Sequence, residues 1–600
     1  MVDFRKMMLL LVVLAFAAGV ASAQSVNPLQ CVASAGVPPL ARSEGLAEEI
    51  GQVTITCTGG NPTVTGQAIP TVNIQIYLST NITSRLISGT ASEVMLLIDE
   101  PGSVQNPVPQ YLCPAASAPC AMTAASSIGV GNYTGAGAGR ENVYQAVKAG
   151  ENSLAWLGVP VDPPGTSGNR VLRMVNVRAD AASVGVSSTL IPSNIIMYIT
   201  ISGTGALPLS NNTLNVAYVV KGMTFSATGD DYNQCEPGTY DFDLNFKENF
   251  GTAFRHNQGA VNNQFMPGTI YNTESMWSST GLLNASGIAG VAGVASQGTR
   301  LIARFSNVPA NITLTAPGTN DDFSFNTAHR VTGHDSNGAG GTLTTTGGTV
   351  TLSGGAGIAV WEIVASTPGS ISTVTFNMTL SYGASPLPGL GTATVTGNYA
   401  PTSTLNTMQP LTVPAPRFID DPQSATTFTI NSCQTNLLFP YITNAAGFDT
   451  GIAIANTTED PYGTPDQEGP CTLYFYGMTG ATAVNPPVQT SATIPAGKSL
   501  IFTLSNGGAV QGSSTASVNA APDFTGYMIA RCNFQYAHGY AFISDLGIRN
   551  WAQGYVALVL DQNLGSWNGS VVLDLETGAG TVSITPPMTR TGVRSETLDQ

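Results

Sequence analysis

The chain carries 66 Gly and 37 Pro among its 600 residues. Relative to Ala, Gly weakens a helix interior by about 1 kcal/mol and Pro by about 3 kcal/mol, so breakers at this density exclude a coiled coil or a long helical bundle. Hydrophobic residues still make up 42%, which is enough to fill cores and separates the chain from disordered sequences. What remains is strand. Val53-Thr54-Ile55-Thr56-Cys57, Val72 to Leu78 and Tyr240 to Phe246 alternate apolar and polar residues, the period of a half-buried strand. The expectation is an all-β protein of tandem, immunoglobulin-like β-sandwich domains.

The N-terminus gives a compartment. Arg5 and Lys6 precede an apolar run from Met7 to Val20, and Ala21-Ser22-Ala23 follows. This order reads as a secretory signal peptide over 1–23, cut before Gln24. A retained anchor is the competing reading, but the run falls short of the roughly 20 residues that a membrane span needs. No later stretch reads as a transmembrane helix. The expected location is outside the cytoplasm: extracellular, at the cell surface or in the periplasm.

Strand runs and turn signals divide the rest. An N-terminal β-sandwich domain is expected over 24–222 and a second β domain over 223–315. A break at Ala316-Pro317-Gly318 opens an immunoglobulin-like domain over 316–409, whose runs Val374 to Tyr382 and Thr392 to Tyr399 read as a closing hairpin. Pro410, Pro414, Pro416 and Pro422 mark 410–424 as a Pro-rich linker, with Arg417 as an accessible trypsin site. A C-terminal β-sandwich domain follows over 425–586, then a polar tail over 587–600.

Eight cysteines behind a signal peptide point to disulfides. Local pairing suggests Cys31–Cys57 and Cys113–Cys120. Cys471–Cys532 is favoured inside the last domain, which leaves Cys235 with Cys433 as a bridge between domains. Four cysteines allow three connectivities, so these last two pairs stay open.

Charged residues are only 10% of the chain, and the formal net charge is −15. Such a surface repels phosphate backbones, so nucleic acid is not an expected partner. Val294-Ala295-Ser296-Gln297-Gly298 lacks the first glycine of a nucleophile elbow, and no HExxH or phosphate-binding loop is present. His329 and His334 lie near Asp335 in a Gly-rich stretch, where a solvated loop is the plainer reading than a metal site. Asp230 and Asp231, with Asp321, Asp322 and Asp335, are calcium candidates weighed against ordinary surface charge; no other cofactor is expected. Five tryptophans, with Tyr474, Tyr476, Tyr536 and Tyr540, are the groups able to stack on sugars. Trp156 and Trp361 sit in apolar surroundings and read as core; Trp277, in a polar stretch, is the surface candidate for ligand binding.

Two segments, LLFPYITNAAGFDTGIAIANTTEDPYG from Leu437 and FTGYMIARCNFQYAHGYAFISDLG from Phe524, resemble uncharacterised secreted multi-domain β-sandwich proteins of acidobacteria. The resemblance extends to NSLAWLGVPVDPPGTSGNRVLRMVNVRA and to Val374–Ala400, and so to most of the chain after the signal peptide. It implies a secreted array of β-sandwiches and carries over no catalytic motif. The expected function is therefore that of a structural or adhesive extracellular protein, acting by binding to glycan or protein surfaces. Two alternatives stand beside it: an array of carbohydrate-binding modules, or a secreted hydrolase whose site is assembled from distant loops.

Overall fold

The computed structural model describes residues 27–99, 109–114, 116, 120–186, 191–205, 207–258, 272–278, 282, 288, 290–383, 386–461, 464, 466–545, 550–560, 570–575 and 578–583. The expected signal peptide and polar tail lie outside the described residues. All regular structure within them is β, arranged in three successive layered units.

The first unit is one twelve-stranded sheet wrapped around a single core. Its first strand, Gln30–Ser34, runs antiparallel to Val53–Gly59, and the chain then crosses so that Leu40–Arg42 lies parallel to Thr213–Val220. One short segment thus serves both ends of the sheet, which blunts edges that would otherwise stay unpaired. Alternation decides which side chains face inward: in Thr71–Leu78, Val72, Ile74, Ile76 and Leu78 are buried. Ala91–Ile98 is different, because all eight of its residues are buried. Its inward set, including Val94 and Leu96, joins the main core, while Met95 and Leu97 pack beneath Trp277 and Leu282 from the next unit. A strand covered on both faces needs a continuous apolar run, and Val94-Met95-Leu96-Leu97-Ile98 supplies it.

The middle unit spans 223–431 and pairs a five-stranded with a seven-stranded sheet. Met223–Thr228 pairs with Gly238–Glu248, and Asp231–Asn233 then crosses to run parallel to the last strand, Gln423–Asn431. Gly238–Glu248 pairs in turn with Thr373–Tyr382, while Arg300–Ser306, Gly391–Ala400 and Gln423–Asn431 are neighbours in the other sheet. That order of the first two and last three long strands is immunoglobulin-like; the strands between them follow their own path. The core is aromatic, with Trp361 stacked on Phe376 at 4.0 Å between ring centroids.

Four expectations change here. Gln423–Asn431, placed at the start of a C-terminal domain over 425–586, is the last strand of the middle unit, because Phe428 and Ile430 enter its core. Strands assigned to separate domains at 223–315 and 316–409 share one core and pair across that boundary, because the turn-rich break at 316–320 is only a loop between strands of one sandwich. Thr373–Tyr382 and Gly391–Ala400 lie in different sheets, so their connection crosses the sandwich and is not a hairpin. The Pro-rich stretch is a strap and not a free linker. Arg417 O accepts a hydrogen bond from Leu46 N and Pro416 O accepts one from Gln297 Nε2, while immediately before the stretch Met408 enters the first unit's core and Gln409 O accepts from Leu86 N. Arg417 itself is buried, donating to the carbonyls of Leu405 and Thr407. Prolines give up donors but keep acceptors, and neighbouring amides use them.

The third unit packs two five-stranded sheets around Leu437, Phe439, Ile454, Phe475, Phe502 and Met528. Ala552–Val556 closes one sheet, and Leu558–Leu560, two residues on, closes the other. Beyond it, Ser570–Leu575 and Gly578–Ser583 pair as a separate hairpin. Four disulfides join Cys31 to Cys57, Cys113 to Cys120, Cys235 to Cys433 and Cys471 to Cys532. Cys235 and Cys433 each follow one strand of the parallel pair Asp231–Asn233 and Gln423–Asn431, so this bridge staples the end of the middle unit.

Candidate binding surface

Buried charges set how the surface is held. Arg42, Glu48, Glu49 and Arg178 from the first unit meet Arg255 and Glu274 from the middle unit, all fully buried. Arg42 reaches Glu48 at 2.7 Å and Glu274 at 2.8 Å, and its guanidinium lies 4.7 Å from the centre of the Phe418 ring. Arg178 holds Glu49 at 2.9 Å and also donates to the Glu274 carbonyl. Arg255 stands 3.9 Å from both Glu48 and Glu49. Three guanidinium groups thus face three carboxylates across the junction. Burial alone would raise the Glu48 carboxyl, but Arg42 and Arg255 outweigh it and hold Glu48 below its ordinary value. Burial pushes Glu49 up to about 8 against the pull of Arg178 and Arg255, with Glu274 and Glu48 adding to the rise. A buried ion pair is costly to break, at about 3–5 kcal/mol for the loss of one partner, so this cluster locks two sandwiches into one body.

Sequence reasoning missed this cluster. Its signal is an acidic pair, Glu48-Glu49, set between Leu46-Ala47 and Ile50, in a chain with few charges to spare.

Trp277 is not a surface residue. It is fully buried in the layer between the first two units, against Met95, Leu97 and Val175. The polar sequence around it reflects a loop path, not exposure. Trp156 and Trp361 are core residues, with the Trp361 Nε1 donating to Pro317 O at 2.9 Å; Trp567 lies outside the described residues. Asp322 accepts from Ser324 N at 2.8 Å, and Asp335 from Asn337 N at 2.9 Å and Ala339 N at 2.8 Å, so both carboxylates cap their own turns. The His334 Nδ1 bonds the Asp335 carbonyl at 2.9 Å. Asp230 precedes the crossing strand, and Asp231 opens it. Burial raises the Asp321 carboxyl, and nearby Asp243 adds to the effect. Among the described residues, no three acidic, His or Cys side chains gather as metal ligands.

The exposed aromatic side chains concentrate elsewhere. Of the ten exposed Tyr, Phe and Trp among the described residues, seven belong to the third unit: Tyr441, Tyr476, Tyr527, Tyr536, Tyr540, Phe542 and Trp551. Tyr536 and Trp551 lie in connections just before strands, and the others stand on strands of the two sheets. On one, Tyr476 and Tyr527 are direct cross-strand partners, stacked at 5.1 Å. On the other, Ile501, Ala453, Tyr540 and Val556 form a row across four strands, with Gly451 and Phe542 paired in the adjacent row. Alternation puts them there: in Ala537–Ser544, the residues at 538, 540 and 542 face out while Ala537, Gly539, Ala541 and Ile543 face in.

No family model matches this sequence, and no curated protein matches it. Among solved structures, the chain is similar to the C-terminal domain of the AgI/II polypeptide BspA of Streptococcus agalactiae, at 7% identity and a TM-score of 0.21, over 62% of this chain and 95% of that one. It is similar to the T6 backbone pilin of serotype M6 Streptococcus pyogenes at 11% identity and a TM-score of 0.21, over 78% and 80%. The Escherichia coli adhesin FdeC aligns at 10% identity and a TM-score of 0.16, over 88% and 96%. Superpositions this loose carry no weight for function.

Proposed function

We propose that this is a secreted extracellular protein of structural or adhesive kind that acts by binding. The first two sandwiches form a rigid stalk, and the third presents the contact surface. The observation that carries this reading is the placement of seven of ten exposed aromatic side chains on the third unit. Aromatic rings supply large contact area at low entropic cost and are enriched at recognition surfaces. The locked junction supports the stalk role, since a buried charge cluster and a shared apolar layer hold the first two units at a set angle. Four disulfides fit an oxidising compartment outside the cytoplasm, in keeping with the secreted β-sandwich proteins that the sequence resembles. The test is binding of the labelled full chain to cell surfaces, extracellular proteins and glycans, beside turnover assays with chromogenic esters and glycosides on the same preparation. Saturable binding that is lost in a variant carrying Tyr476→Ala, Tyr527→Ala, Tyr540→Ala and Phe542→Ala is the expected result. Turnover without binding overturns the reading.

A further inference from the structure

The outer face formed by Gly507–Val510, Ser499–Thr503, Asp449–Asn456, Ala537–Ser544 and Ala552–Val556 differs from the rest of this acidic molecule. Among its outward positions the acidic one is Asp449, the cross-strand partner of Ser544, and it is 8% exposed, accepting hydrogen bonds from Asn444 Nδ2, Thr450 N and Ser505 Oγ. No Asp, Glu, Lys or Arg side chain is exposed at the outward positions of these five strands. Small residues make the floor, and four apolar side chains rise from it: Ile501 is 52% exposed, Tyr540 46%, Phe542 45% and Val556 58%. Hydroxyls and an imidazole border them at Ser499, Thr503, Ser544 and His538.

Tyr540 has a defined attitude. A Cβ placed on Gly554 would collide with the Tyr540 hydroxyl and ring carbons. The ring therefore lies down across the edge strand, over the glycine, and turns one face to solvent. Phe542 is two residues on along the same strand, about 7 Å away. The row from Ile501 to Val556 crosses three strand spacings, about 14 Å. The result is a flat platform without exposed charge, with rings laid on it and hydrogen-bonding groups along its sides.

We infer that this face binds a neutral polysaccharide, stacking the apolar faces of pyranose rings on Tyr540 and Phe542 while the bordering hydroxyls and His538 meet sugar hydroxyls. Charge selects this occupant. Two copies of a chain with formal charge −15 repel one another on approach, and an acidic polymer meets the same repulsion. A neutral polysaccharide meets none and loses no ion pairing on a face without exposed charge. The inference rests on the binding role proposed above and names its ligand class.

The test uses the full chain with cellulose, starch, dextran and galactomannan as neutral probes and polygalacturonate as an acidic one. At least one neutral probe should bind, with little change from about 0.05 to 0.5 M salt, because no exposed charges are there to screen. Tyr540→Ala and Phe542→Ala should each weaken binding about tenfold or more, while Phe323→Ala at an exposed site of the middle unit stays within about twofold of the native chain. Gly554→Ala, which lifts the Tyr540 ring without removing it, should also weaken binding. Unchanged melting of each variant keeps loss of fold out of the comparison; Phe542→Ala, which uncovers no glycine, serves if Tyr540→Ala unfolds. Hydroxyl-radical labelling of Tyr540 and Phe542 in the free chain should be high. Protection there, by the chain's own C-terminal segment or by a second copy, overturns the inference, as does failure of every neutral probe or binding indifferent to both substitutions. If all neutral polysaccharides fail while cell-surface binding persists, this inference falls and the adhesive reading stands. If neither is seen, the adhesive reading falls too.

Discussion

Glu49 shows how far a residue can be moved by its surroundings. Its carboxyl is raised to about 8 in the folded chain, first by burial and then by Glu274 and Glu48. An acid raised on folding favours the protonated folded state, so its contribution is largest below the ordinary carboxylate value and is lost as pH rises through 8. Glu48 is shifted the other way by Arg42 and Arg255, so its contribution is present above the ordinary carboxylate value and is lost in acid. The stalk should therefore lose apparent melting temperature between pH 5 and pH 8, and Glu49→Gln should flatten that slope. A Glu49→Gln variant that keeps the full slope in calorimetry would mean that other groups set it. Arg42→Met leaves Glu48 and Glu274 buried without their partner and should cost about 3–5 kcal/mol, read from urea unfolding of the stalk. Gly222 belongs to the same neighbourhood: an added Cβ would lie 2.7 Å from the Tyr399 hydroxyl and 2.8 Å from Arg42 Cγ, so only glycine fits where the two units join.

At the scale of elements, the Pro-rich stretch expected as a linker over 410–424 departs most from its sequence. Its prolines and weak periodicity read as a solvated linker, yet the Arg417 carbonyl receives the amide of Leu46 and the Pro416 carbonyl the side-chain amide of Gln297, while just before it Met408 fills a core and Gln409 O receives the amide of Leu86. Composition reports which donors a segment lacks; it is silent on which acceptors a neighbour will use. Native protein should accordingly resist trypsin at Arg417, which mass spectrometry of a limited digest will show; early cleavage at that bond would contradict a packed strap. Cys471 and Cys532 lie directly opposite on adjacent strands of the third unit. Replacing both by Ala should destabilise that unit by about 2–5 kcal/mol and leave melting of the other two unchanged.

For the whole molecule, the shared layers make the first two sandwiches a single cooperative body. Trp277 and Leu282 of the middle unit cover the outer face of the first, and the charge cluster lies beside them. The third unit follows the last strand of the middle one after only residues 432–434 and has a separate core. Calorimetry of the full chain should resolve two transitions, one for the stalk and one for the third unit. Three independent transitions would show that the junction does not couple the first two sandwiches.

The sequence by itself determined the all-β class, because Gly and Pro at this density forbid long helices and period-two alternation leaves only half-buried strands. It also carried the even cysteine count and the net acidity, which need no partner in space to be read. The tertiary structure alone decided the rest. Val374 to Tyr382 alternates equally well as a hairpin arm or as the partner of Gly238–Glu248, and only long-range register chooses between them. Trp277 is polar in its neighbours along the chain and apolar in its neighbours in space, so a one-dimensional pattern assigns it to the wrong side of the surface. Tyr540 and Phe542 were visible as aromatic residues on an alternating strand. Their role as a platform depends on Gly554, Ile501 and Ala453, which lie on other strands and come together only when the sheet forms.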